Sequence, residues 1–330
     1  MESKGKWATG NHAMVTALVR TISVLNVPQH TAQDNGEIAR VGDGAASISK
    51  FITVDQNGHG NFITIQSAID SIPDGNQQWV QIYIKQGTYR EKVLIRASKP
   101  FIVLQGEGAS NTRIDWNDHG DTKNCATFIV YANDFVARDI TFSNSYNWNI
   151  HAPEVAEAAL VGGDRNSFYR CNFLGHQDTL CDYLGRHFYY GCWIEGSVDF
   201  IFGFAQSIYE KCTLHSNGKG WLIANAKDNQ NSPTGFVFKY CIIRTSDEST
   251  YLGRAWNEWS TVIFFETYMP ANIQPQGWQG WSHTTIIEQG CLGPGSDKSR
   301  RVSWLKNNQS ISHFVSDKFI GPDNWLSQQP

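Results

Sequence analysis

An all-β solenoid, a parallel β-helix with a short capping helix at its N-terminal end, is the fold class this sequence predicts. Three observations lead there. A Cys-centred motif recurs through the middle of the chain at intervals of 20 to 29 residues. The runs around it are short, β-prone and alternating, and end in Gly, Asn or Asp. No helical pattern lies between them, so βαβ units are excluded and stacked coils around a continuous core remain.

The motif is an aromatic residue, two or three positions, then Cys. It reads Tyr169-Arg170-Cys171, Tyr190-Gly191-Cys192, Tyr209-Glu210-Lys211-Cys212 and Phe238-Lys239-Tyr240-Cys241. Phe135–Phe142 is an earlier copy without Cys, and Val262–Tyr268 a later one. The four Cys are expected to be a ladder of small buried residues. Seven Cys is an odd number, and neither a CxxC pair nor a Cys/His cluster supplies zinc-ligand spacing, so neither metal nor cofactor is expected.

At the N-terminal side, Phe62, Ile65, Ile69 and Ile72 fall at helical spacing and Pro73 stops the run. A helix over 62–73 would cover the open first coil, and Trp79–Ile84 would begin the first strand. Residues 1–50 read as a leader. Ala13–Val19 is a short apolar stretch after Lys4 and Lys6, but Arg20 interrupts it and no small-residue cleavage site is evident. Length alone, at 330 residues, suggests about two domains. The repeat replaces that with one solenoid over 51–326 and a tail over 327–330.

Composition narrows the function. Twenty-seven Lys and Arg against 31 Asp and Glu leave a net charge of −4, which argues against a nucleic-acid partner. No run of about 18 apolar residues is present, so no membrane span is expected. Charged residues make up only 18% and aromatics 13%, consistent with buried rings inside coils and exposed rings along a cleft.

The chemistry is carried by two aspartates. Asp178, in Gly175-His176-Gln177-Asp178-Thr179-Leu180, lies seven residues after Cys171. Asp199, in Gly196-Ser197-Val198-Asp199-Phe200-Ile201-Phe202-Gly203, lies seven after Cys192. They hold the same place on successive coils, and adjacent strands are about 4.8 Å apart. Two carboxylates that close do not both ionise easily, so one keeps a proton and the pair offers an acid beside a nucleophile or base. Asp also binds turn backbone routinely; the shared register favours the catalytic reading. Gln177 is placed to donate to a developing oxyanion. His59, His176 and His187 are read as structural, with His176 nearest the cleft.

These segments, with Leu252-Gly253-Arg254-Ala255-Trp256, resemble the signature segments of plant pectin methylesterases. Gly87-Thr88-Tyr89-Arg90-Glu91, Gly163-Asp164-Arg165-Asn166-Ser167-Phe168-Tyr169 and the final Trp325-Leu326 extend the resemblance from Phe51 to Leu326, in the family's order. The resemblance implies a right-handed β-helix and hydrolysis of methyl esters on homogalacturonan, in cell-wall modification and pectin catabolism. It makes Asp199 the nucleophile, Asp178 the general acid and then base, and Gln177 an oxyanion donor. Arg254 would orient Asp199, and Arg254, Trp256 and Phe202 would contact substrate. It further implies a secreted monomer of the cell wall or apoplast, with methyl-esterified pectin and a proteinaceous pectinesterase inhibitor as partners. Asn308-Gln309-Ser310 is a glycosylation sequon for a secreted chain.

One departure bears on activity. The family segment Gln-Ala-Val-Ala-Leu, whose Gln is a second oxyanion donor, is Val155-Ala156-Glu157-Ala158-Ala159 here. Valine has no donor, and losing one such donor costs about two to three orders of magnitude in rate. Glu154 and Glu157, read as anions, are poor substitutes. Ala255 where Pro is common is milder. Two rivals follow: a catalytically weak, pectin-binding relative, and another β-helix pectin enzyme such as a polygalacturonase or a lyase. For the last, Gly58-His59-Gly60 reads as a turn, and the acidic calcium cluster a lyase needs is not found.

Overall fold

The computed structural model describes residues 46–330 apart from 123, 150–152, 247 and 306–309. The apolar stretch Ala13–Val19, nearly all of the expected leader, and Asn308 and Gln309 of the sequon lie outside the described residues.

Ten strands pair in chain order and all in parallel: Lys50–Val54, Val80–Ile84, Ile102–Gly106, Phe135–Arg138, Asn166–Tyr169, Arg186–Tyr190, Gln206–Glu210, Gly235–Lys239, Thr261–Phe265 and Thr285–Gln289. Each coil then turns into a second face, which runs from Gly87–Arg90 through Thr141–Asn144 and Asn172–Leu174 to the start of Trp193–Gly203. A third face holds Val93–Ile95, Phe128–Val130, Ala159–Val161 and Leu180–Asp182, stacked on the end of the same long strand. Strand next to strand along the sequence, with every ladder parallel, is the pattern of a parallel β-helix. Its first strand is Lys50–Val54, one earlier than the Trp79–Ile84 run suggested. Short flanking polar residues hid a strand whose second and fourth side chains, counted from Phe51, point inward.

The Cys ladder stands inside. Cys171, Cys192, Cys212 and Cys241 are all buried, and each follows a left-handed residue at the bend between faces: Arg170, Gly191, Lys211 and Tyr240, with φ of 52°, 62°, 54° and 58°. A small side chain suits the inside of that bend. The thiols of Cys192, Cys212 and Cys241 donate to the carbonyls of Phe168, Tyr189 and Tyr209 on the preceding coil, at 3.4, 3.5 and 3.3 Å. All seven Cys are free thiols.

Which aromatic accompanies each Cys is settled by the register. The ring three residues before the Cys points inward, giving a stack of Phe168, Tyr189, Tyr209, Phe238 and Phe264 with centroids 4.5 to 5.0 Å apart. Tyr169 and Tyr190, two before their Cys, lie on the outer side of the strand. The hydroxyls of Tyr189 and Tyr209, carried into the core, donate to buried Asp182 at 3.0 and 2.6 Å, and His187 also bonds it.

The helix forms over Ile65–Asp70 and not over the full 62–73 span. Thr64 caps it through its hydroxyl, and the Glu91 carboxylate accepts the N–H groups of Ile65 and Gln66 at 2.9 Å each. Phe62 bridges to Val54 instead. Ile65, Ala68 and Ile69 enter the core beside Lys50–Val54 and Val80–Ile84. At the other terminus Gln329 donates to the Arg165 carbonyl at 2.8 Å, and Ala46 donates to the Gln328 carbonyl at 3.2 Å. No helix among the described residues is long and apolar enough to cross a membrane.

Candidate active site

The two aspartates sit at the corner where the second face turns into the third. Gln177 bridges to Val198, Leu180 pairs with Ile201 and Cys181 with Phe202, so Asp178 lies opposite Asp199 on the next coil. Both residues are left-handed, with φ of 60° and 49°. Asp tolerates that region better than most residues, and strain of about 1–3 kcal/mol at such a position is held in place by its surroundings. Here Asp178 donates its N–H to the Val198 carbonyl at 2.9 Å, and Ser197 donates to the His176 carbonyl at 2.6 Å. The corner also needs the glycine three residues ahead of each aspartate. A Cβ on Gly196 would stand 2.3 Å from the Phe200 Cβ, and one on Gly175 would stand 2.7 Å from the Thr179 hydroxyl. Side chains lock the outside: His176 Nδ1 meets the Asn217 side-chain oxygen at 3.1 Å, and the Ser197 hydroxyl donates to the Lys219 carbonyl at 2.6 Å.

The two carboxyl groups have different environments. Arg254, on a strand two coils further along, points its Nε at both oxygens of Asp199, at 2.9 and 3.0 Å, while its Nη2 donates to Oδ2. A guanidinium fork on a carboxylate that is only 2% exposed satisfies both of its oxygens and fixes its orientation. The same pair raises the Arg254 pKa above its ordinary value. Asp178 has no such partner. Burial, and then the negative charge of Asp199, push it up to about 7, only partly opposed by Arg254. One carboxyl is thus gripped by a guanidinium while its neighbour is raised toward neutrality, an asymmetry suited to a nucleophile beside a general acid.

Around the pair the aromatic residues divide by exposure. Trp256 is 40% exposed and its ring lies 5.4 Å from Phe202. Phe202 is buried in a small cluster with Leu160, Cys181 and Ala224, so it supports Trp256 from below and offers little surface of its own. Trp221, absent from the sequence reading, stacks under the Arg254 guanidinium at 4.4 Å and alongside Tyr251 at 6.1 Å. Its Nε1 donates to Gln279 at 3.0 Å. The signal was present in Gly218-Lys219-Gly220, a corner on the next coil that puts Trp221 opposite Val198. Gln177 is half-buried beside the pair, and its carbonyl accepts the Ala156 N–H at 3.3 Å.

The Val155 segment is corrected in one respect. Glu154 is exposed and lies 3.9 Å from His119. Glu157, however, is wholly buried, and burial pushes its carboxyl up to about 8. It is a neutral acid at pH 7, not the anion expected. Gly163-Asp164-Arg165 is structural: Asp164 accepts from Arg186 Nη2 and Nε at 2.7 and 2.9 Å. No group of three metal-ligating side chains occurs among the described residues.

The sequence profile of the Pectinesterase family matches residues 51–323, which include every residue of this corner. The chain belongs to the pectinesterase family. Probable pectinesterase 55 of Arabidopsis thaliana is 41% identical to it over 300 residues, covering 84% of this chain and 91% of that protein. Among solved structures, the pectin methylesterase from carrot superposes with a TM-score of 0.80 at 30% identity, covering 86% of this chain and 96% of its own. A pectin methylesterase from Aspergillus niger gives 0.77 at 27% identity, with coverages of 87% and 98%. The shared architecture is the parallel β-helix, and membership in the family makes this pectinesterase a hydrolytic enzyme.

Proposed function

We propose that this pectinesterase removes methyl esters from homogalacturonan and releases methanol, with Asp199 as nucleophile and Asp178 as general acid and base. The observation that carries the reading is the asymmetry of the pair: the Arg254 fork grips Asp199, while Asp178, buried beside it without a fork, is pushed up to about 7. An Asp199 oxygen adds to the ester carbonyl carbon. As the tetrahedral intermediate collapses, the C–O bond to the methoxy group breaks, and that oxygen takes the Asp178 proton and leaves as methanol. The resulting acyl-enzyme anhydride is cleaved by a water molecule that gives its proton to Asp178. This frees the galacturonic acid, which loses its remaining proton to solvent as the carboxylate, and restores Asp199. Gln177 stabilises the oxyanion in both steps, and Trp256 provides a ring against which a sugar stacks. The substrate places the enzyme at the cell wall.

Methanol release from methyl-esterified pectin by the purified chain tests this. Release is expected from the parent and is expected to be lost in Asp199→Ala; equal release from both would overturn the assignment. A second reading, a weak catalyst that chiefly binds pectin, is favoured by Val155, which brings no donor to the segment beside Gln177. Under it Val155→Gln raises the turnover number by about tenfold or more, and an unchanged turnover number excludes it.

A further inference from the structure

Glu157 stands in the same row as the two aspartates. Ala159 pairs with Leu180, and Ala158 and Ala156 donate backbone N–H bonds to the Thr179 and Gln177 carbonyls, at 2.8 and 3.3 Å. Glu157 therefore holds on its coil the place Asp178 holds on the next, and Asp178 stands in the same relation to Asp199. Each step is 21 residues. Three carboxyl groups occupy successive rungs, and only the last meets an arginine. Glu157 is 0% exposed; its Oε2 bonds the Cys125 thiol, and its Oε1 has no hydrogen-bond partner among the described residues.

We propose that Glu157 is a positioning residue for the esterase reaction, a buried acid whose proton is coupled to that of Asp178 and extends the pH range over which Asp178 acts. The inference rests on Asp178 being the general acid. Because the Glu157 carboxyl has no exposed surface, it does not touch substrate and does not replace the missing oxyanion donor. It acts through its neighbour. The titratable groups facing it are Cys125 and Asp121 from the preceding coil and Asp178 and Cys181 from the following one, all acids. Asp199 and Arg254 lie beyond Asp178. Arg254 grips Asp199, and neighbouring carboxyls without such a partner do not ionise together easily. Asp178 and Glu157, raised to about 7 and about 8, still hold protons as neutral pH is approached. As the pH rises the first proton goes to solvent from either of them, and the charge left behind makes the partner hold its own more tightly. Molecules in which Glu157 has ionised and Asp178 has not remain competent on the alkaline side.

The experiment is the pH profile of methanol release from pH 5 to 10 for the parent, Glu157→Gln, Glu157→Val and Asp178→Asn, with folding checked by circular dichroism. Glu157→Gln keeps shape and hydrogen-bonding capacity and removes the coupled proton. Its turnover number at pH 6 is expected within about twofold of the parent, with KM unchanged. Its alkaline limb is expected to move down by about 0.5 to 1 pH unit, so that activity at pH 9 falls about three- to tenfold. Superimposed profiles, or an equal fractional loss at every pH, would overturn the inference. If Asp178→Asn instead retains the parent's activity and alkaline limb, the failure lies in the assignment of Asp178. Carbon-13 carboxyl NMR of the parent, labelled at Glu, needs no variant: a resonance still protonated at pH 7 that then titrates in two steps is expected, and titration of every Glu below pH 6 refutes the proposal.

Discussion

Removing the Arg254 fork tests the central electrostatic claim most directly. In Arg254→Met the alkyl stem is retained while two Nε contacts, at 2.9 and 3.0 Å, and the Nη2 contact to Asp199 are lost. Breaking a fully buried ion pair by removing one partner costs about 3–5 kcal/mol. Asp199 is fully buried by that standard, but the Arg254 side chain is 39% exposed, so water recovers part of the loss. A cost of about 2–3 kcal/mol remains after that screening. Charged to the transition state, it lowers the turnover number about 30- to 150-fold. Arg254→Lys keeps the charge but not the fork and is expected to lose only about three- to tenfold. Methanol release at saturating pectin reads both turnover numbers. An Arg254→Met enzyme with the parent's turnover number would refute the reasoning.

Trp256→Ala removes a half-exposed ring and leaves the carboxyl pair intact; KM for pectin is expected to rise about tenfold with the turnover number little changed, read from initial rates. Phe238→Ala breaks the internal stack between Tyr209 and Phe264, and a loss of about 3–5 kcal/mol is expected from denaturant titration. Stability also depends on pH through the raised carboxyls. Asp178 and Glu157 hold protons up to about 7 and about 8 in the folded state, against ordinary values of 3.8 and 4.5. The folded chain therefore binds more protons than the unfolded one between those limits, and this contribution to stability is lost as pH rises. The melting temperature is expected to fall from pH 5 to 8, and less steeply in Glu157→Gln.

Much of this architecture was legible because a solenoid is nearly one-dimensional. Each coil repeats its neighbour's path, so sequence spacing converts directly into spatial register. The 21-residue steps from Cys171 to Cys192 and from Asp178 to Asp199 translate into one rung each. The Cys ladder was legible for a related reason, since the left-handed bend recurs at the same place on each coil and turns the residue after it inward. The aromatic positions were half legible. A strand's two faces differ by one residue: the motif took Tyr169 and Tyr190 as its rings, and the pairing turns Phe168 and Tyr189 inward instead. The first strand, Lys50–Val54, was missed because three of its five residues are not buried.

The sequence by itself determined the fold class, the order of the coils, the juxtaposition of Asp178 and Asp199, and the family. All of these follow from motifs and constant spacing within neighbouring coils. The tertiary structure decided what distance along the chain conceals. Trp221, 33 residues before Arg254 and on another coil, stacks on its guanidinium, a contact no spacing announces. It also decided protonation. Glu157 reads as an anion by residue type, yet enclosure on all sides makes it a neutral acid, because the free energy of ionisation belongs to the surroundings and not to the side chain.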